Sequence, residues 1–201
     1  HPDYQDLTFD LSGERAVVIG NGNVAVDVAR MLALNDEEIK PTDTTDAAID
    51  AILASGITEI IMLGRRGPVQ GAFTPPEVQE LGEMADADIL VDAAELELDP
   101  ASEAELESAP ATTKRNMDLL REYASHERSS ARRAIRLRVF VSPVAILGDG
   151  KVEAIEIVRN ELVVGDDGRT RAVPTGETET IPCSIVFRSV GYMGVPLEGI
   201  P

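Results

Sequence analysis

Short apolar runs alternate with amphipathic stretches along most of the chain. Ala16-Val17-Val18-Ile19 and Ile60-Ile61-Met62-Leu63 are unbroken apolar runs, as expected of strands covered on both faces, and they predict strands over 15–19 and 59–63. Val24, Val28 and Leu32 recur every four residues beside Ala25 and Ala29, one apolar face of a helix over 23–34. Asn35 to Thr42 reads as a polar loop. Ala47 to Leu53, preceded by the cap-rich Thr42-Asp43-Thr44-Thr45 and followed by Ser55-Gly56, predicts a second helix over 45–54. Thr74-Pro75-Pro76-Glu77 opens a third helix that continues through Val78 and Leu81, with proline in its first turn and Thr74 as its cap. Ile89-Leu90-Val91 marks a third strand over 88–91.

The second half of the chain changes character. Residues 95–113 are acidic and rich in Ala, Ser and Pro, and read as an exposed connection whose order the composition leaves open. A helix follows over 114–126. Leu137, Val139 and Val141 alternate with polar residues and predict a strand over 136–141. Residues 143–174 hold strand-like segments separated by Gly148-Asp149-Gly150 and Gly165-Asp166-Asp167-Gly168, a small antiparallel meander. Ile181 to Val190 supplies a last core strand that ends in Gly191-Tyr192. Strands alternating with helices predict an α/β fold, a Rossmann-like parallel sheet flanked by helices with the β-meander inserted near 143–174, in a single domain over 1–201. A ligand would sit at the carboxyl edge of the strands.

Two turns at that edge carry candidate chemistry. After the first strand comes Gly20-Asn21-Gly22-Asn23-Val24-Ala25, a G-x-G-x-x-A turn that opens a helix. Gly20 allows a tight turn, Gly22 lets the backbone approach a pyrophosphate, and the small Ala25 lets the helix pack close to the strand. The helix N-terminus offers N–H groups and a partial positive charge to the anion. After the second strand comes Gly64-Arg65-Arg66-Gly67-Pro68. An NAD site usually places a carboxylate there for the ribose 2′-hydroxyl. Two guanidinium groups instead suit a 2′-phosphate, so the expected cofactor is NADP(H). The Gly20-to-Arg65 spacing exceeds the usual one, and the extra helix over 45–54 accounts for the excess. Glu77 holds a ribose hydroxyl, helps orient an arginine, or serves as a helix-dipole carboxylate without a ligand role, and Asp27 and Arg30 read as structural.

Composition narrows the partners. The chain has 201 residues, a net charge of −18, one cysteine and two histidines. That charge argues against nucleic acid and anionic membrane surfaces. No apolar run is long enough for a transmembrane helix. Cys183 alone excludes an internal disulfide and fits a reducing cytoplasmic setting, and with only His1 and His126 it builds no metal site. Residues 114–138 hold eight Lys/Arg against three acids, either a docking patch for an acidic partner or a solvated helix face. No residue stands out as a general acid, base or nucleophile. The chain begins at His1 without methionine and shows no signal peptide, and so reads as part of a longer protein.

The stretches VVIGNGNVAVDVARML, GRRGPVQGAFTPPEVQEL, RAVPTGETETIPCSIVFRSVGY and GVPLEGIP resemble the NADP-binding domain of adrenodoxin reductase-type ferredoxin–NADP reductases. The resemblance covers nearly the whole chain and is weakest across 95–113. It implies a two-domain flavoprotein that passes a hydride from NADPH to FAD and then single electrons to a ferredoxin. It assigns Asn23 and Val24 to the pyrophosphate, Arg65 and Arg66 to the 2′-phosphate, and Glu77 to the adenosine side. Gly191 and Tyr192 fall where the chain returns toward flavin and nicotinamide. Lys114, Arg115 and Arg121 fall where a basic stretch meets the acidic ferredoxin. No second glycine turn for FAD is present, so the flavin would be bound by a domain outside this chain. The NADP domain of another flavoprotein, such as a glutamate synthase-type electron-input subunit, and a ferredoxin-docking module remain alternatives.

Overall fold

A computed structural model describes residues 9–166, 168, 170–191 and 199 of the chain. The elements run β1 (Arg15–Ile19), α1 (Asn23–Ala33), α2 (Asp36–Ile39), α3 (Asp46–Leu53), β2 (Glu59–Leu63), α4 (Pro75–Gly82), β3 (Ala87–Val91), α5 (Pro100–Ser108), α6 (Ala111–Ala124), β4 (Arg133–Arg138), β5 (Val141–Leu147), β6 (Ala154–Val164), β7 (Thr170–Pro182) and β8 (Ile185–Arg188). Short 3-10 turns at Pro68–Gln70 and Ala93–Leu96 follow β2 and β3.

Five strands form a parallel sheet in the order β3-β4-β2-β1-β8, and β5-β6-β7 form a separate antiparallel sheet. Alternate residues of β1 explain why its apolar run is unbroken. Ala16 and Val18 join the core beneath α1, α4 and α6. Val17 points the other way, with Ile61 and Leu63, into a second core shared with Val141, Ile155, Ile157, Ile181 and Cys183. Helices thus cover one face of the parallel sheet and the antiparallel sheet covers the other. Both faces are dry, as all-parallel strands require.

A buried guanidinium ties the helices together. Arg133, 2% exposed, donates to the carbonyls of Leu32, Leu34 and Ile52 and to Ser55 Oγ, where α1 and α3 end. Cations suit helix C-termini. Among the described residues no carboxylate bonds to it, and burial pulls its pKa below the usual arginine value.

Five expectations are corrected. The loop expected over 35–42 contains α2, started by a capping box in which Asn35 Oδ1 accepts from the Glu38 N–H and Glu38 Oε2 from the Asn35 N–H. The exposed connection expected over 95–113 holds α5 and the start of α6. Asp99 caps α5 by accepting from the N–H groups of Ala101 and Ser102, with Pro100 at the first helical position. The strand expected over 136–141 begins at Arg133 and breaks at Phe140, whose φ of 58° turns the chain out of the parallel sheet and into β5. The strand expected over 181–190 is likewise two pieces. Ile181 pairs with Ile155 in the antiparallel sheet, and β8 joins β1 only from Ile185. The meander is larger than expected, running from Val141 to Pro182.

Candidate functional site

The glycine turn and the arginine turn leave the same edge of the sheet side by side. Ile19 is paired with Leu63 in register, and the Gly20 N–H donates to the Leu63 carbonyl at 2.9 Å. Gly20 has φ +136°, and a Cβ there would overlap the carbonyl oxygen of Ser189, just past the end of β8. Glycine is therefore demanded by backbone conformation and by close approach at once. Gly191, two residues beyond Ser189, is exposed and at φ +86°. Tyr192 lies outside the described residues.

Gly22 differs. Its φ of −107° is open to any residue, and a Cβ would meet only Ala72 Cβ at 3.7 Å and its carbonyl oxygen at 3.9 Å. Among the described residues neither its φ nor a close contact demands glycine at this position. Gly22 is the N-cap of α1, which has no side-chain cap and no acid in its own first turn; the carboxylate that reaches this end is Glu77 of α4, bonded to Asn23. Ala25 is fully buried against the sheet, as the helix packing requires. Val24 is 61% exposed beside the turn.

Asn23 joins this turn to the start of α4. Its Oδ1 accepts from the Thr74 N–H at 2.8 Å and its Nδ2 donates to Glu77 Oε1 at 3.3 Å. Thr74 occupies the N-cap position, but its side chain does not cap the helix. Glu77 Oε2 is buried and has no hydrogen-bond partner among the described residues.

Arg65 is exposed and Arg66 half-buried. Among the described residues neither makes a salt bridge; Arg66 Nη2 reaches only the Gln70 carbonyl, at 3.5 Å. Two unneutralised guanidinium groups in a chain of net charge −18 form a local site for an anion. The sequence reading missed the groups that hold this turn: Phe140, Asn160, Gln70, and Glu105, which accepts from Gln70 Nε2 at 2.8 Å. The one signal in the sequence is a lone asparagine within the apolar strand pattern around 155–164.

The basic stretch 114–138 does not form one patch. Arg133 is buried, Arg128 pairs with Asp88, Arg136 with Glu59, and Arg138 with Glu95 and Glu179. Glu95, 5% exposed, also accepts from the Val139 N–H at 2.7 Å. Lys114, Arg115 and Arg121 remain exposed on α6 without a salt bridge among the described residues, Lys114 Nζ donating to the Glu107 carbonyl. Lys114 and Arg121 border a cleft of about 650 Å³ between α5 and α6. Among the described residues there is no metal-ligand cluster, and no helix is long and apolar enough to cross a membrane.

The chain is an α/β domain that sets a glycine turn on an uncapped helix beside an arginine turn without a salt bridge, at the carboxyl edge of a parallel sheet. No protein-family model matches the chain. Over all 201 residues it is 44% identical to the NADPH-ferredoxin reductase FprA of Mycobacterium leprae, covering 44% of that protein. It is 36% identical to the mitochondrial NADPH:adrenodoxin oxidoreductase of Homo sapiens over 98% of this chain and 42% of that one. The structure of Mycobacterium tuberculosis FprA in complex with NADPH superposes with a TM-score of 0.92 at 43% identity, covering all of this chain and 44% of that one. The chain is thus similar throughout its length to a segment of the adrenodoxin reductase-type ferredoxin reductases, and spans less than half the length of these relatives.

Proposed function

We propose that this chain is the NADP(H)-binding domain of a larger flavoprotein, a ferredoxin–NADP reductase, and that it selects and holds the reductant. The observation that carries the reading is the unpaired Arg65-Arg66 turn set beside a Gly22 that neither backbone nor packing requires. The bare Gly22 backbone and the α1 N-terminus would receive the pyrophosphate, and Val24 would be covered by the ligand. Arg65 and Arg66 would neutralise the 2′-phosphate, and Glu77, after a turn of its side chain toward the ligand, would accept from a ribose hydroxyl. When bound, the cofactor supplies a hydride, which needs no acid or base from the protein. The chain's own part is to orient the dinucleotide, with Gly191 and Tyr192 leading toward the partner domain that would bind FAD. Lys114, Arg115 and Arg121 are the cations available to an acidic ferredoxin. A reducing compartment such as the cytoplasm suits Cys183, whose burial pushes its thiol pKa up.

Calorimetric titration with NADP⁺ and NAD⁺ tests the reading. Wild type binds NADP⁺ more tightly. Replacing Arg65 and Arg66 by Ala removes charge-assisted contacts of about 1.5–3 kcal/mol each, roughly tenfold to a hundredfold in affinity, and brings NADP⁺ down to the level of NAD⁺. Equal wild-type affinity for the two dinucleotides overturns the assignment.

A further inference from the structure

The arginine turn is held in place from the opposite face of the sheet. Its three leading carbonyls are all engaged by the segment where the chain passes into the antiparallel sheet. The Val141 N–H donates to Gly64 O at 3.0 Å, Asn160 Nδ2 to Arg65 O at 2.8 Å, and the Phe140 N–H to Arg66 O at 3.0 Å. Asn160 is the one side chain among these donors. It is 3% exposed. Its Nδ2 also donates to Ser142 Oγ at 2.8 Å, and its backbone N–H donates to Phe140 O at 2.6 Å. One residue therefore joins the arginine turn, the reversed Phe140 and β5.

The local sequence has been bent to put it there. Along β6, Ile155 and Ile157 face the core, so strict alternation would send residue 159 inward and 160 to solvent. A register shift between Val158 and Asn160 reverses the phase: Arg159 is exposed and Asn160 buried. Bulges re-aim side chains in this way beside functional sites. The result is costly for folding alone, because Asn160 Oδ1 is left buried without a partner where an aliphatic residue would fill the core. That cost is explained if the amide is kept for what it does to Arg65.

Resting on the NADP(H) reading above, we propose that Asn160 is a positioning residue for cofactor selection: it fixes the peptide of Arg65 so that the guanidinium pair is presented to the 2′-phosphate. Its effect is confined to the phosphate end. The glycine turn, Asn23 and Glu77 are held by other bonds, so the part of the site common to both dinucleotides does not depend on it.

The test is calorimetric titration of the 201-residue chain with NADP⁺ and NAD⁺, for wild type, Asn160→Ala and Asn160→Asp, with thermal melting of each. In Asn160→Ala the preference for NADP⁺ over NAD⁺ falls about fivefold or more, the scale of one hydrogen bond, while NAD⁺ affinity stays within about twofold. In Asn160→Asp the fall is larger, because a carboxylate oxygen faces the Arg65 carbonyl. A lower melting temperature with the preference intact, or equal losses for both dinucleotides, shows a structural role and overturns the proposal. Wild type without any preference overturns the arginine assignment and the positioning role together, whereas a preference lost in the Arg65/Arg66 double variant but kept in both Asn160 variants overturns the positioning role alone.

Discussion

Gly20 and Gly22 belong to one sequence motif, yet the structure gives them separable jobs, and alanine at each should show it. At Gly20, φ of +136° lies where a side chain is strained, and the new methyl would overlap a backbone oxygen, Ser189 O, which cannot swing aside. Strain of about 1–3 kcal/mol and overpacking of about 1–3 kcal/mol add to roughly 2–6 kcal/mol. That is a large fraction of the ~5–15 kcal/mol that holds a typical domain together. At about 2–4 °C per kcal/mol for a chain of this size, Gly20→Ala should melt on the order of 10 °C below wild type. At Gly22 the methyl meets Ala72 at ordinary contact distance. Losing a glycine N-cap and stiffening the unfolded chain are terms of about 0.5–1 kcal/mol each and of opposite sign. Gly22→Ala should therefore melt within about 3 °C of wild type while, on the proposed reading, NADP⁺ affinity falls at least tenfold, because the methyl would stand where the pyrophosphate is proposed to approach. Differential scanning calorimetry and NADP⁺ titration of both variants make the comparison. A Gly22→Ala chain that binds NADP⁺ normally, or a Gly20→Ala chain as stable as wild type, refutes the division of roles.

Two further predictions concern the scaffold. Arg133→Met leaves the carbonyls of Leu32, Leu34 and Ile52 without their shared donor, and should cost about 2–4 kcal/mol in urea unfolding; a loss under 1 kcal/mol would mean water replaces the guanidinium at no penalty. Glu59 is raised in pKa by burial but lowered more by hydrogen bonds from Arg15 at 2.6 Å and Arg136 at 3.2 Å, a net depression. Its contribution is thus present above the ordinary carboxylate range near pH 4 and lost as pH falls through its lowered folded value, so Glu59→Gln should melt lower than wild type at pH 7 and converge with it toward pH 3; a gap that stays constant with pH contradicts the ion-pair origin.

How much of this was legible in the sequence depended on the range of the forces involved. β1, β2, α1 and α4 announced themselves because the signal is local: unbroken apolar runs, four-residue spacing, and Pro75 in the first helical turn. The glycine and arginine turns were legible for the same reason. What stayed hidden was set by partners distant in the chain. Composition made 95–113 look like a solvated connection, yet Asp99 is a helix cap and Glu95 pairs with Arg138, 43 positions away. The arginines after 127 looked like a surface patch because nothing local shows that Arg133 points at two helix ends or that Arg136 meets a carboxylate on β2. Asn160 was invisible because its partner, Arg65, lies 95 positions earlier and its inward direction depends on a bulge.

The two faces of the parallel sheet account for the two halves of the site. The helical face, through Ala25, Val26 and Ala29, sets the position of α1 and so of the turn expected to take the pyrophosphate. The antiparallel face, through Val141 and the bulged β6, sets the position of the arginine turn. The strands between them, paired Ile19 to Leu63, are shared. A change on one face can therefore reach one turn without reaching the other, because the turns are held by separate bonds, Asn23 to Thr74 and Glu77 for the glycine turn and Phe140, Val141 and Asn160 for the arginine turn. On this account grip on a dinucleotide and choice between dinucleotides are properties of different layers. If Arg65 and Arg66 take the 2′-phosphate as proposed, the meander is the layer that turns a general dinucleotide site into one for the 2′-phosphorylated form.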